Sequence, residues 1–368
     1  MPVRPLPPQP NLDHLKHQAK DLLKAHAAQS PEAAQRIREF HPRFQQSTDA
    51  EIFRSALKLS DAQLTIARES GFPSWTRLKH HIETPTLADR LDLPHHERIE
   101  NPAFRRAVDL LDAGDAAGLR AHLQQHPNLA QQRMLLEGGN YFRNPTLLEF
   151  VAENPTRRGT LPANIVEMTK AILNAGASQA ALDETLMLIA SSAVTHKCDV
   201  QIPLIDLLCD QGADPNRATR TAAMYGEFEA VQALIRRGAR IDLPIAAALA
   251  RIEDAHDLLP AADPEDRHWA MALAAQFGSV AIMRMLLDAG EDPNRYNPVG
   301  GHSHSTPLHQ AALAGHRDVA HLLVERGASL DLKDTMWHST PAGWAEHAGN
   351  KEVEIFLRQR AAENKPST

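Results

Sequence analysis

The chain has 368 residues, enough for two or three ordinary domains or for one long repeat array, and its 43% apolar and 23% charged content suits a folded protein. A net charge of −7 and a pI near 6.3 argue against the clustered Lys and Arg of a broad nucleic-acid surface. Two cysteines, Cys198 and Cys209, cannot build a disulfide framework and fit a reducing compartment.

The opening stretch, MPVRPLPPQP, has no apolar signal core. No run approaches the roughly 18 uncharged apolar residues of a spanning helix. A cytoplasmic chain with no membrane or nucleic-acid partner is the expectation. Residues 1–83 then read as a helical block. Leu12, Leu15, Ala19, Leu22 and Leu23 form one helical stripe. Ser60 with Gln63 suggests a capping box, Gly71 a helix end, and Ser74 the next cap, with Phe72 and Trp75 as anchors. Residues 84–102 read as a linker.

Beyond the linker one signature recurs: an apolar helix ending in Leu-Leu-x-x-Gly or a variant. It closes at Gly176, Gly212, Gly238, Gly290 and Gly327, with spacings of 36, 26, 52 and 37. Since 52 is twice 26, a degenerate unit should lie between Gly238 and Gly290, and Ile245 to Leu259 has the apolar spacing for it. A second signature, two small residues, two variable ones and Gly, ends at Gly226, Gly278 and Gly315, each 12 residues before a terminal glycine. Ahead of the last stands TPLHQA from Thr306, with a weaker copy, TPAGWA, from Thr340. Phe104 to Leu129 looks like a first, capping unit.

Helix, tight turn, helix and terminal glycine at periods near 33 resemble the ankyrin repeat. The resemblance implies an all-α ankyrin-repeat solenoid over residues 103–362, in about seven units, several degenerate or with enlarged loops, preceded by the small helical domain. Residues 1–83 resemble a helical segment found ahead of the repeats in bacterial ankyrin proteins. The stretches 128–146, 153–163, 194–203 and 291–305 exceed ordinary connections. If they are hairpins, they would wall off one side of a groove.

The resemblance makes His309, in the Thr-Pro-Leu-His slot, a structural residue that ties neighbouring turns, and His316 the usual Gly-His partner. It puts the hairpins and the last residues of the inner helices on a concave groove. That maps Tyr225, Phe277, His302, His304, Trp337, His338 and His347 to one binding surface. Trp337 and Trp344 could instead shield the end of the stack. The implied function is an interaction protein holding a protein or peptide partner. The alternative is an enzyme or small-molecule site in which His302, His304, His347 and Glu346 would be the catalytic candidates, with Asp334 near Trp337 as a second acid. No Cys-x-x-Cys accompanies the histidines, and neither metal nor cofactor is expected.

Overall fold

The computed structural model describes residues 6, 10–83, 93–136 and 141–363. They fall into two compact units: residues 1–105 with 134–144, and residues 106–133 with 145–368. Among the described residues every regular element is helical.

The first unit contains α1 (Leu12–Ala27), α2 (Pro31–Phe40), α3 (Asp49–Arg54), α4 (Leu59–Glu69) and α5 (Trp75–Glu83). Leu15, Ala19 and Leu22 of the stripe on α1 meet Ala34, Ile37, Ile52, Ile66 and Leu78 in a closed apolar core. Phe72 and Trp75 pack on its edge. Ser74 caps α5 by accepting the Arg77 N–H at 3.3 Å. The capping box expected at Ser60 does not form. Helix α4 starts at Leu59, and the Asp61 carboxylate accepts the Lys58 N–H at 2.8 Å. An ionised acceptor makes the stronger bond to a helix N-terminus, so Asp61 sets the boundary. Of the stretch read as a linker, residues 84–92 lie outside the described residues. His95–Arg98 form a 3₁₀ turn, and Arg98 and Ile99 are buried.

The second unit is a stack of helix pairs. They are α6 (Pro102–Ala113) with α7 (Ala116–Gln125); a 3₁₀ turn, Leu148–Ala152, with α8 (Ile165–Asn174); and α9 (Gln179–Ala190) with the short α10 (Ala193–Lys197) and α11 (Gln201–Asp210). Next come α12 (Asn216–Met224) with α13 (Phe228–Arg236), α14 (Leu243–Ala248) with α15 (Ile252–Leu258), and α16 (Pro264–Phe277) with α17 (Val280–Asp288). Last are α18 (Pro307–Ala314) with α19 (Arg317–Glu325), and α20 (Pro341–Ala348) with α21 (Lys351–Glu363). Inner elements stack on inner ones through fully buried alanines, among them Ala222, Ala246, Ala274, Ala311 and Ala345. A methyl side chain lets backbones approach closely, and each unit covers the apolar face its neighbour cannot cover itself.

The long stretches divide by edge. Residues 291–305 connect an outer helix to the next inner element and form a finger. Residues 128–146 have the same place in the chain order, but 134–144 belong to the first unit, and 137–140 lie outside the described residues. Residues 153–163 and 194–203 instead connect inner to outer elements, at the opposite edge, so they do not wall the groove as expected. The reason is connectivity: in each pair the groove-side loop precedes the inner helix and the tight turn follows it.

The degenerate unit is α14 with α15. Its inner helix has six residues, and Ala250, at φ +53°, holds the turn position that Gly226, Gly278 and Gly315 hold elsewhere. That alanine hides the signature. Neighbours clasp the short pair from both sides. Arg220 of α12 bonds Asp242 at 2.7 Å and Asp266 at 2.5 Å. At the other helix end, the Gln276 amide donates to the Met224 carbonyl at 2.7 Å, and Phe277 meets Phe228 edge-on at 4.9 Å.

A left-handed backbone disfavours alanine by about 1–2 kcal/mol, partly offset by the greater freedom glycine has when unfolded. Ala250→Gly should therefore stabilise the second unit by about 0.5–1 kcal/mol in urea unfolding. A loss of stability would contradict the strain argument.

Candidate functional site

The two fingers that precede α18 and α20 are built against each other. Asn294 bridges them, donating to the Gly327 carbonyl at 3.0 Å and accepting the Ser329 N–H at 2.7 Å. The Tyr296 hydroxyl donates to the Lys333 carbonyl at 2.6 Å, and the Thr335 N–H to the His304 carbonyl at 2.8 Å. Below, His268 of α16 is bonded through Nε2 to the Tyr296 carbonyl at 2.8 Å. Gly301 lies against the Trp269 ring, where an added Cβ would stand 2.9 Å from it, so the finger can seat here only with glycine.

Asp334 organises the second finger. Its Oδ1 accepts the N–H groups of Met336 (2.9 Å) and Trp337 (2.6 Å). Its Oδ2 accepts the Ser339 N–H (2.8 Å) and the Trp344 indole N–H (3.1 Å). Burial raises the pKa of this carboxyl, but the Trp337 N–H, the Trp344 indole and the Ser339 and Met336 N–H groups together pull it well below the usual carboxylate range. Four donors saturate it, so Asp334 is a structural knot and not the acid–base candidate read from the sequence.

On that frame sits an aromatic cluster. Trp344 is buried, and Trp337 packs edge-on to it at 5.6 Å while remaining 63% exposed. His304 stands edge-on to Trp337 at 5.1 Å and tilted on Trp344 at 5.7 Å. His302 meets His304 at 6.0 Å. Burial, with a smaller push from His304, lowers the pKa of His302. His302 and His338 both adopt left-handed backbone, φ +61° and +53°. Val299 and Met336 project from the same fingers and are exposed.

The remaining groove candidates lie elsewhere. Tyr225, Phe277 and His347 occupy the C-terminal ends of their inner helices. An eight-residue helix is about 12 Å long, so these ends form a second band, separate from the fingers. Tyr225 and His347 are exposed, and Phe277 is half-buried against Phe228. Glu346, a catalytic candidate in the sequence, is exposed and paired with Arg358 at 2.6 Å. The helix turns it toward the outer helix of its own pair and away from the preceding unit. Among the described residues no three His, Cys, Asp or Glu side chains group as a metal would need.

His309 is fully buried at the start of α18. The Thr306 N–H donates to its Nδ1 at 3.2 Å, and Nε2 donates to the Ser339 carbonyl of the next finger at 3.1 Å. This fixes one neutral tautomer. Thr146 and Glu149 repeat the same spacing at the second inner element. There the Glu149 carboxylate accepts the Thr146 N–H at 2.8 Å, with Arg133 3.8 Å away. Burial pushes the Glu149 carboxyl up to about 7, against the pull of the Thr146 N–H; Glu184 adds to the rise and Arg133 opposes it. Burial lowers the pKa of His309.

The two slots therefore respond oppositely to pH. The raised Glu149 contributes stability that is fully present below its unfolded value, near 4.5, and lost as pH rises through 7. The lowered His309 contributes stability present above 6.5 and lost as pH falls below it. Hydrogen exchange, corrected for intrinsic rates, should show residues 146–152 losing protection as pH rises from about 4.5 to about 7 and levelling off above that, an effect absent in Glu149→Gln. Residues 306–312 should lose protection as pH falls below 6.5. Parallel behaviour of both segments would refute the assignment. His309→Ala should cost on the order of 1–3 kcal/mol by leaving backbone groups unpaired. His302→Ala should stay within about 0.5 kcal/mol, whereas His304→Ala, which the sequence places on a solvated finger, should cost about 1 kcal/mol because its ring packs on two tryptophans.

Comparison with known proteins adds relatives to this geometry. A family profile described as "Ankyrin repeats (3 copies)" matches residues 222–334. Cyclin-dependent kinase 4 inhibitor B of Bos taurus is 32% identical over 130 residues, which is 34% of this chain and 96% of that protein. Cyclin-dependent kinase inhibitor 2A of Homo sapiens is 31% identical over 141 residues, 38% of this chain and 75% of the relative. Ankyrin repeat and SAM domain-containing protein 6 of Mus musculus is 35% identical over 104 residues, but the match spans only 11% of that relative's length. No helix among the described residues is long and apolar enough to cross a membrane.

Proposed function

The chain belongs to the ankyrin-repeat proteins, and from that premise we propose that it binds a protein or peptide partner on the concave side of its repeats, with Trp337 as the anchor. One observation carries the proposal. Trp337 is 63% exposed, yet its N–H is tied to Asp334 and its ring rests on Trp344 and His304. A large aromatic already held in place loses little conformational entropy on binding, which is the character of an interface hot spot. Two relatives are named for inhibiting cyclin-dependent kinases, a function that requires a protein partner.

His304 and His302 support the anchor from the first finger, His338 flanks it, and Tyr225, Phe277 and His347 would contact a longer partner along the second band. The alternative, a His/Trp-lined enzyme or small-molecule pocket, has less support. Glu346 is exposed and engaged by Arg358, and among the described residues no ring contact joins His347 to the cluster of His304, Trp337 and Trp344. The same proposal takes the chain as cytoplasmic, on the strength of its two unpaired cysteines. It takes residues 1–83 as an accessory helical module, a reading supported by the apolar core shared by α1–α5; the resemblance to bacterial proteins rests on the sequence alone.

The test is capture by immobilised full-length protein from an extract of the source cells. A specific protein should be retained, its amount should fall at least tenfold with Trp337→Ala, and Ile355→Ala, exposed on the last outer helix, should leave it unchanged. Equal retention by the Trp337 variant would defeat the proposal.

A further inference from the structure

The fingertips differ in charge from the chain as a whole. Over residues 296–305 and 332–339 the formally charged side chains are Lys333 and Asp334. Asp334 is 1% exposed, and the four donors aimed at it offset its field. Lys333 is exposed. The imidazoles of His302, His304 and His338 add polar groups that can donate a hydrogen bond or carry positive charge. Exposed carboxylates, Asp292 and Asp331, precede both fingertip segments and lie toward the finger bases. Amid these groups stand three exposed apolar side chains: Val299 at 89%, Met336 at 59% and Trp337 at 63%.

We propose that this fingertip surface receives a short linear segment of the partner that presents a bulky apolar side chain beside a carboxylate. The inference rests on the groove reading above and names the chemistry that would fill it. The apolar side chain covers Trp337 and Met336, removing apolar surface from water on both partners. The carboxylate meets Lys333 and an imidazole N–H, making charge-assisted bonds beyond Asp331, the exposed carboxylate two residues before Lys333. A basic segment would face Lys333 and, within residues 296–305 and 332–339, no exposed carboxylate. The net charge of −7 does not reverse this preference, because charges beyond about 8 Å are largely screened at physiological ionic strength. The fingers are fixed before binding by the Tyr296, Thr335 and Asp334 bonds, so the segment meets a formed surface.

Panning a phage-displayed random peptide library on the full-length protein tests this. Enriched peptides, remade synthetically, are measured by fluorescence anisotropy against the wild type and against Trp337→Ala, Met336→Lys and Lys333→Glu. The expected consensus places Leu, Ile, Phe or Trp within two residues of Asp or Glu. Trp337→Ala should weaken these peptides at least tenfold, and Met336→Lys, at an exposed position, should do so severalfold without disturbing the fold. Replacing the peptide carboxylate by Lys should weaken binding about tenfold to the wild type and much less to Lys333→Glu. Enrichment of basic or uncharged peptides that still require Trp337 would overturn this inference and leave the groove reading standing. Peptides indifferent to Trp337 would overturn the groove reading itself. Failure to enrich any peptide would overturn the claim that a linear segment suffices.

Discussion

The second unit depends on one constraint: a single helix pair cannot bury its own inner face. The inner elements carry alanine where a globular helix would carry leucine, and a methyl group buries too little surface within one pair to hold it. Closure comes only when the next pair is laid alongside. Ala246 and Ala247 of α14, for example, are covered by α12 on one side and α16 on the other. This explains why a unit as short as α14 with α15 persists. Its neighbours supply the burial and reach past it at its two ends, Arg220 to Asp266 at one and Gln276 and Phe277 to Met224 and Phe228 at the other.

Close stacking brings backbone groups of adjacent pairs together at both edges, and these must be paired. At the tight-turn edge, His316 is bonded to the Gln276 carbonyl at 2.9 Å while its ring lies against Gly278, and Asn350 donates to the Leu313 carbonyl at 2.7 Å. At the finger edge, His309 and His268 perform the same service one pair apart. Polar side chains thus follow apolar packing along the stack. They convert a stack that could slide into one with a fixed register, because a buried carbonyl left unpaired costs more than the bond itself contributes.

Much of this was legible in the residues. The glycine spacings located the pairs, including the hidden one at 245–259, because a left-handed turn at each helix end demands glycine. The legibility failed where another residue met the demand: Ala250 took the left-handed turn, and Asp61 displaced Ser60 as the group that sets a helix start. The second inner element was also obscure, since it is a 3₁₀ turn with Glu149 in the slot that His309 marks later. For the candidate site, residue types in the fingers were readable, but their separation was not. An offset within a repeat places Trp337 and His347 on one face without saying that Trp337 lies before the helix and His347 at its end. His268 was missed as an organiser because its partner, the Tyr296 carbonyl, belongs to another segment, and Asp334 because its partners are backbone N–H groups of its own finger and the indole of Trp344. The Asp-x-Met-Trp spacing, with N–H groups two and three residues on, was the one local signal for Asp334.

The fingers show how a rigid stack can carry a specific surface. Inner helices offer a binding partner mostly alanine, which has little to grip, so recognition has to come from segments released from the stacking rule. The enlarged finger at 291–305 is such a segment, yet it is not loose. Tyr296, Asn297 and Thr335 bind its backbone and its neighbour's, and His302 holds a left-handed turn that only a surrounding scaffold would stabilise. The same polar side chains that fix register between pairs therefore also fix the fingertips. The recognition proposed for Trp337 would be coupled to the stability of the last pair through Asp334, whose carboxylate accepts the backbone N–H of the exposed tryptophan and the indole N–H of the buried one.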